Sequence, residues 1–260
     1  MSPSPRLPVS VCMISGAEAH RIGRALESVS GWAGEIVVVL NQDVADGTEE
    51  LAQSLGAKVY REAWKGHVAQ KNSAAQKATQ PWILGLDADE VVSAGLQAEF
   101  RKLLDGSLGA GNCAAYQFPR LTQYLGRWIR HGDWYPDFQL RLWQRGAAQW
   151  GGIDPHDRLE VRGSIGRLRG DLLHYSMESL EHQVQKMLRY ADDFARLRAG
   201  QGRRVGYLDL LTRPAWRFLR SYVLKLGFLD GWQGLCIAWT TAFYTFLRYA
   251  RARELQSGGD

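Results

Sequence analysis

Five apolar residues in a row, Ile36 to Leu40, follow Glu35 and end at Asn41. An unbroken apolar run of strand length has no polar face to offer water, so it must be covered on both sides. That is the condition of a strand inside a parallel sheet. The flanking sequence agrees. Residues 9–14 form a second β-rich run, and the stretch after it carries Ile22, Leu26 and Val29 on one helical face. Asp46-Gly47-Thr48 opens another helix with a capping residue at hand. Residues 57–60 and 82–86 read as a third and a fourth strand. Strands alternating with helices predict an α/β fold: a doubly wound, mostly parallel sheet with right-handed crossovers. Ligands of such sheets bind beyond the carboxyl ends of the strands. Residues 15–18, 41–46 and 87–90 fall on that edge.

From Cys113 to Tyr175 the pattern changes to short strand-like pieces (115–118, 139–143, 172–175) between loops rich in Gly, Trp, Arg and Asp. After Ser176 it becomes helical over 180–197, 212–226 and 232–251. The expected organisation is a catalytic domain over 1–175, its first part (about 8–112) for a nucleotide and its second (113–175) for an acceptor, followed by a helical region over 176–260. Three scattered cysteines, Cys12, Cys113 and Cys236, argue against a disulfide framework and for a reducing compartment. Residues 1–8 show no secretory signal, and 235–247, interrupted by three threonines, is too short to span a bilayer. A cytoplasmic protein, able to lie on a membrane, is expected.

The net charge is +5, and residues 203–225 alone hold six basic side chains (Arg203, Arg204, Arg213, Arg217, Arg220, Lys225) against Asp209. Such a segment is either a solvated helix face or a contact for an anionic partner. If a helix starts at Thr212, with Pro214 in its first turn, Arg213, Arg217 and Arg220 share one stripe. Trp216, Leu219, Val223 and Leu226 then share the next, as in an interfacial helix.

Leu86-Asp87-Ala88-Asp89-Glu90 carries the sharpest chemistry. Two carboxylates one residue apart, directly after an apolar strand, offer hard oxygens to Mg²⁺ or Mn²⁺ bridging a diphosphate. Neither a G-x-G-x-x-G turn nor a G-x-x-x-x-G-K-[ST] loop is present, which counts against dehydrogenases and P-loop kinases.

Residues 9–14, Glu18, Asp46-Gly47-Thr48, Gly66…Gln70-Lys71-Asn72 and Asp87-Ala88-Asp89-Glu90, in this order, resemble the inverting family-2 glycosyltransferases of the GT-A fold. Trp134-Tyr135-Pro136-Asp137, Arg141-Leu142, Arg145-Gly146, Pro155-His156-Asp157, Leu173-His174-Tyr175 and the 227–232 tail resemble one subgroup. That subgroup is the lipopolysaccharide-core β-glucosyltransferases of Gram-negative bacteria. The likeness spans roughly residues 8–250.

The resemblance implies a GT-A-type, Rossmann-like sheet with a helical carboxyl-terminal appendage. It puts Glu18 and Asn41 beside the base or ribose, Lys71 toward the donor, and Asp87 and Asp89 on the ribose and metal–diphosphate. His174 matches a late histidine that completes the metal site, and a buried core histidine is the alternative. Asp157 after His156 matches the catalytic base, with Asp133, Asp137 and Asp154 as rivals on composition. Arg130, Asp133, Trp134 and Tyr135 suit sugar stacking on the acceptor side. Two positions depart from the family. Ala17 stands where Asn is usual, and Asn41 where Asp is frequent, although an amide can still bond uracil.

The expected function is transfer of a hexose, glucose above all, from a UDP-sugar to the inner core of lipopolysaccharide. The metal would be Mg²⁺ or Mn²⁺, the acceptor a glycolipid, and the contact with the inner membrane peripheral; no nucleic acid is involved. The alternatives are transfer to a polyprenyl phosphate or capsule glycan, a nucleotidyltransferase, and a non-catalytic membrane-binding module.

Overall fold

The computed structural model describes residues 5–108, 113–154, 156–177, 179–201 and 204–257. Arg203 of the basic segment, Pro155 of the Pro155-His156-Asp157 motif and the side chain of His156 lie outside the described parts. The chain divides into two compact units, one of residues 1–120 and 137–174, the other of 121–136 and 175–260. Residues 121–136 fall in the same compact unit as the helices.

The first unit begins as an alternating series: β1 (Leu7–Ser15), α1 (Ile22–Ser30), β2 (Ala33–Asn41), α2 (Thr48–Ser54), β3 (Lys58–Glu62), α3 (His67–Gln76) and β4 (Trp82–Gly85). It continues with β5 (Glu90–Val92), α4 (Ala94–Leu104) and β6 (Ala115–Tyr124). After β7 (Arg127–Trp128), which with the last residues of β6 belongs to the second unit, come β8 (Asp137–Gln144), β9 (Ala148–Ile153), β10 (His156–Val161), β11 (Ile165–Arg167) and β12 (Leu172–Met177), whose last three residues are also of the second unit. The main sheet has the order β3-β2-β1-β4-β8-β6-β12-β5, and β9 pairs with β10 in a separate hairpin. β3, β2, β1 and β4 run parallel, whereas β4–β8, β6–β8 and β5–β12 are antiparallel.

β2 owes its central place to its composition: every residue from Glu35 to Leu40 is buried. One face of the sheet packs on Ile22, Leu26 and Val29 of α1 and on Leu96 and Phe100 of α4. The other packs on Ala74 of α3, Trp143 and Trp150. α3 has little apolar surface of its own and is instead laced to β9. Asn72 donates to the Trp150 carbonyl (2.8 Å) and accepts from the Trp150 N–H (2.9 Å).

Glu35 is the one carboxylate inside this core strand. It accepts from Ser10 (2.6 Å), Lys58 (2.8 Å) and both the N–H and hydroxyl of Thr79 (2.8 and 3.0 Å). Burial alone would raise its pKa, but the bonds from Lys58, Ser10 and Thr79 more than reverse that, to about 2. Because the folded value lies below the ordinary 4.5, charged Glu35 favours the native state above pH 4.5. That contribution is lost as pH falls toward 2. Replacing Glu35 by Gln is expected to flatten the acid limb of the stability curve by roughly 3 kcal/mol. Urea unfolding of both proteins between neutral and acid pH measures it, and parallel acid limbs would contradict the assignment.

The second unit contains α5 (Leu180–Gly200), α6 (Tyr207–Leu219), a π-turn (Arg220–Leu224), a 3₁₀ turn (Gly227–Asp230) and α7 (Gly231–Ser257). Tyr124 donates to Gln183 of α5 (2.6 Å), which donates to Thr240 of α7 (3.0 Å), so one buried polar relay ties strand to helices. α6 starts five residues before the expected Thr212. Asp209 accepts from the Gly206 N–H (3.1 Å) and sets the true amino terminus. Pro214 therefore stands inside the helix, not in its first turn. The expected arginine stripe is also divided. Arg213 pairs with Asp209 (2.5 Å) and lies over the Tyr249 ring, while Arg217 and Arg220 turn to Asp133.

Candidate active site

The site of the first unit forms where β1, β2 and β4 end. β4 stops at Gly85, and Leu86 still bonds the β1 carbonyl of Cys12 (3.1 Å) before the chain turns at Asp87–Asp89. Glu90 then begins β5 and is fully buried; its carboxylate accepts the Asp87 N–H (3.0 Å), which fixes the turn. The β5–β12 register sets His174 opposite Glu90 and so beside Asp89.

Around this turn the charges are closely matched. Asp87 accepts from Arg141 (2.6 Å) and lies 3.2 Å from Lys71. Arg141, 7% exposed along its side chain, stands 3.4 Å from Glu90, and Arg120 is also 3.4 Å from Glu90. Burial by itself would raise the Asp87 pKa. The charges of Arg141 and Lys71 prevail and hold it well below the usual carboxylate range. The same pairing pushes Arg141 further up, against the opposing effect of its burial, so this salt bridge stays charged at any ordinary pH. Asp89 is also depressed, burial being outweighed by the hydrogen bond and charge of His174.

Lys71 joins two acidic groups. Its ammonium donates to Asp157 of β10 (2.9 Å) while facing Asp87, and it lies 4.7 Å from the centre of the Trp150 ring. Asp157 is thus brought to the Asp87 turn from a hairpin seventy residues further on, through the Asn72–Trp150 lacing and the Asp157–Gly152 register. The three rival carboxylates are otherwise engaged. Asp137 pairs with Arg120 (2.7 Å), Asp154 accepts the Val68 N–H at the start of α3 (3.0 Å), and Asp133 belongs to the second unit.

Glu18 pairs with Arg21 (2.6 Å), and another nitrogen of the same guanidinium stands 4.0 Å from Asp89. The loop bearing Glu18 is held by its neighbours: the Glu18 N–H bonds Thr48, and the Ala19 N–H bonds Asp46 (3.0 and 3.1 Å). Asn41 ends β2 beside this loop, and its side-chain oxygen is buried with no hydrogen-bond partner among the described residues. An orphaned amide acceptor of this kind is a place for a ligand donor.

Asp89 Oδ2 and His174 Nε2 converge at 3.5 Å, a carboxylate oxygen and an imidazole nitrogen of the types that bind Mn²⁺ or Mg²⁺. Asp87 points into Arg141 and Lys71 instead. Among the described residues no group of three or more His, Cys, Asp or Glu side chains makes a closed cage. The pair fits an open site whose remaining ligands would have to come from a substrate. Arg130, Trp134 and Tyr135 lie in the second unit, where Trp134 packs edge-on against Tyr124 with ring centres 5.2 Å apart.

Arg141, Arg21 and Trp150 were not assigned roles from the sequence. Arg21 follows Glu18 at helical spacing and was discoverable as its counter-ion. Arg141 sits on an antiparallel strand far along the chain, and only sheet order brings it under Asp87.

The family model for glycosyl transferase family 2 matches residues 10–159, more than half of the chain. The chain belongs to this family. It is 32% identical over 256 residues to an uncharacterised glycosyltransferase of Rickettsia typhi, covering 95% of this chain and 87% of the relative. It is 29% identical over 255 residues to LpsC of Rhizobium meliloti, a lipopolysaccharide core biosynthesis glycosyltransferase, covering 95% and 92%. In structure it is similar to the mannosyltransferase PcManGT of Pyrobaculum calidifontis, solved with GDP-Man and Mn²⁺. The TM-score is 0.54 at 13% identity, covering 96% of this chain and 88% of that one. The fold is that of the GT-A glycosyltransferases, and the chain is a glycosyltransferase.

Proposed function

We propose that this glycosyltransferase moves a hexose, glucose in the first instance, from a UDP-sugar to the inner core of lipopolysaccharide, with inversion. The observation that carries the reading is the Asp87–Lys71–Asp157 chain of contacts beside the Asp89–His174 pair. It joins a leaving-group site to a separate carboxylate able to act as base. The relationship to LpsC supports the acceptor class. Peripheral contact with the inner face of the bacterial inner membrane is part of the proposal. Among the described residues no helix is long and apolar enough to cross a membrane.

In this reading Asn41 offers its unsatisfied oxygen to a base N–H, and Glu18 and Asp87 accept from the nucleoside. Arg141 and Glu90 keep Asp87 fixed, so little reorganisation is needed when the donor arrives. Asp89 and His174 would hold Mg²⁺ or Mn²⁺, which supplies charge neutralisation for the departing diphosphate. The incoming diphosphate competes for Lys71 and draws it from Asp157. Asp157 then takes the proton of the acceptor hydroxyl as its oxygen bonds the anomeric carbon from the face opposite the leaving group. The bond from that carbon to the diphosphate breaks, and the nucleoside diphosphate carries away the electron pair.

Product analysis tests the reaction and the acceptor together. With UDP-glucose and truncated lipopolysaccharide core, stoichiometric UDP and an inverted glucosyl linkage are expected. Release of pyrophosphate, or transfer only to a polyprenyl phosphate, would replace this assignment.

A further inference from the structure

The second unit carries a charge cluster that the transfer reaction does not use. The Asp133 carboxylate is buried, its side chain 8% exposed, and among the described residues three cations approach it: Lys225 at 2.9 Å, Arg217 at 3.2 Å and Arg220 at 3.6 Å. Among the described residues neither Asp133 oxygen has a directional hydrogen bond, so the contacts with the three cations are electrostatic. One carboxylate against three cations leaves a net charge of +2. The cations keep 35–40% of their side-chain surface open to solvent while their inner sides face Asp133. Two anchors hold the loop that bears Asp133. Asp230 accepts the N–H groups of Arg130 and His131 (3.1 and 2.8 Å), and the Gly132 N–H donates to the Lys225 carbonyl (2.8 Å).

The same unit exposes an unusual amount of aromatic surface. On α7, Trp232, Leu235, Trp239, Phe243 and Phe246 recur at helical spacing along one stripe, all at least 37% exposed, Trp239 at 61%. Trp239 touches Phe218 of α6 (ring centres 5.0 Å), which joins this stripe to the face of α6. There and on the following turns Trp216, Leu219, Val223, Leu224, Phe228 and Leu229 are also exposed. Exposed apolar side chains gathered on packed helices in this number mark an interaction site. Trp beside Arg and Lys suits the headgroup level of a bilayer, where an aromatic ring and a phosphate lie side by side.

We infer that Arg217, Arg220 and Lys225, arrayed around Asp133, form a binding site for the headgroup phosphate of an anionic phospholipid, with the α6–α7 aromatic surface set into the same bilayer. Asp133 acts as the built-in counter-anion. It keeps three cations together in the absence of lipid and leaves them underneutralised. The inference deepens the peripheral membrane contact proposed above and rests on that part of it.

Partitioning of the full chain into sedimenting vesicles tests the site. Vesicles containing phosphatidylglycerol are expected to bind it far more tightly than pure phosphatidylcholine, and the difference should shrink as salt rises. Each basic residue near an anionic surface is worth roughly fivefold in partitioning. Asp133→Asn raises the cluster charge by one and is expected to strengthen binding to phosphatidylglycerol vesicles about fivefold. Adding Arg217→Gln, Arg220→Gln and Lys225→Gln leaves a neutral cluster with no stranded charge, and should weaken wild-type binding by about 25-fold. A purely structural ion cluster predicts no gain for Asp133→Asn. Wild-type partitioning that does not distinguish the two lipids overturns the inference without reference to any variant. So does tight one-to-one binding of inorganic phosphate that strips the protein from vesicles, which would make this a soluble-anion site. So does capture by a protein partner with no vesicle binding. Vesicle binding requires no sugar donor, so its failure and that of the transferase assay are independent.

Discussion

Asp157→Asn is expected to lower the transfer rate by about 100- to 10,000-fold, the usual loss when a general base is removed, while donor affinity stays near that of the wild type. The separation of effects follows from geometry. Asp157 contacts Lys71, whereas the turn that would receive the donor is held by Arg141 and Glu90. An amide can still accept from Lys71, so the ammonium keeps its place, but it cannot take a proton from a hydroxyl. Single-turnover transfer beside calorimetric titration of the nucleoside diphosphate resolves the two quantities. Asp137→Asn and Asp154→Asn are the matched comparisons. Their carboxylates serve Arg120 and the start of α3, so changes there should disturb stability more than chemistry. A near wild-type rate for Asp157→Asn, with either of the other two dead, would move the base to that residue.

How far the sequence foretold this site depends on the range of the interactions. Strand–helix alternation up to β4 was readable because each element there is specified by its own pattern. β2 is apolar throughout, and α1 buries a single face of Ile22, Leu26 and Val29. The acidic turn after β4 was readable for the same reason. Its meaning was not fully so, because the partners that distinguish Asp87 from Asp89 come from elsewhere. Arg141 arrives on β8 and His174 on β12, and no local pattern states which antiparallel strand lies next to which. In the second unit the expected helix start failed at Pro214. Proline is tolerated in a first turn, but Gly206 and Asp209 begin this helix one and a half turns before Thr212. The partners of the arginines were out of reach of the same local pattern. A stripe on a helical wheel shows which side chains share a face, and Asp133, eighty residues away, then claims two of the three.

The difference between the two aspartates of the turn gives the strongest binding prediction. Both Asp87 oxygens face cations of the protein, Arg141 at 2.6 Å and Lys71 at 3.2 Å, and the first of these is a buried guanidinium whose other carboxylate, Glu90 at 3.4 Å, is shared with Arg120. Under the proposed function Asp87 would therefore hold the turn and accept from neutral donors such as a ribose hydroxyl. Asp89 faces His174 at 3.5 Å, with Arg21 more distant at 4.0 Å, and can give an oxygen to an added ion without stranding a buried charge. Asp89→Ala is therefore expected to abolish the Mn²⁺-dependent part of nucleoside-diphosphate affinity while the metal-independent part survives. His174→Ala, which removes the neighbouring imidazole nitrogen, should lower the same part less completely. Asp87→Asn should instead show itself first in thermal stability, since Arg141 loses its nearest carboxylate inside the core. Calorimetric titration of UDP with and without Mn²⁺, together with thermal unfolding of each variant, separates these outcomes. Unchanged metal-dependent affinity in Asp89→Ala, with its loss in Asp87→Asn, would reverse the two roles and require Arg141 to release Asp87 whenever the donor binds.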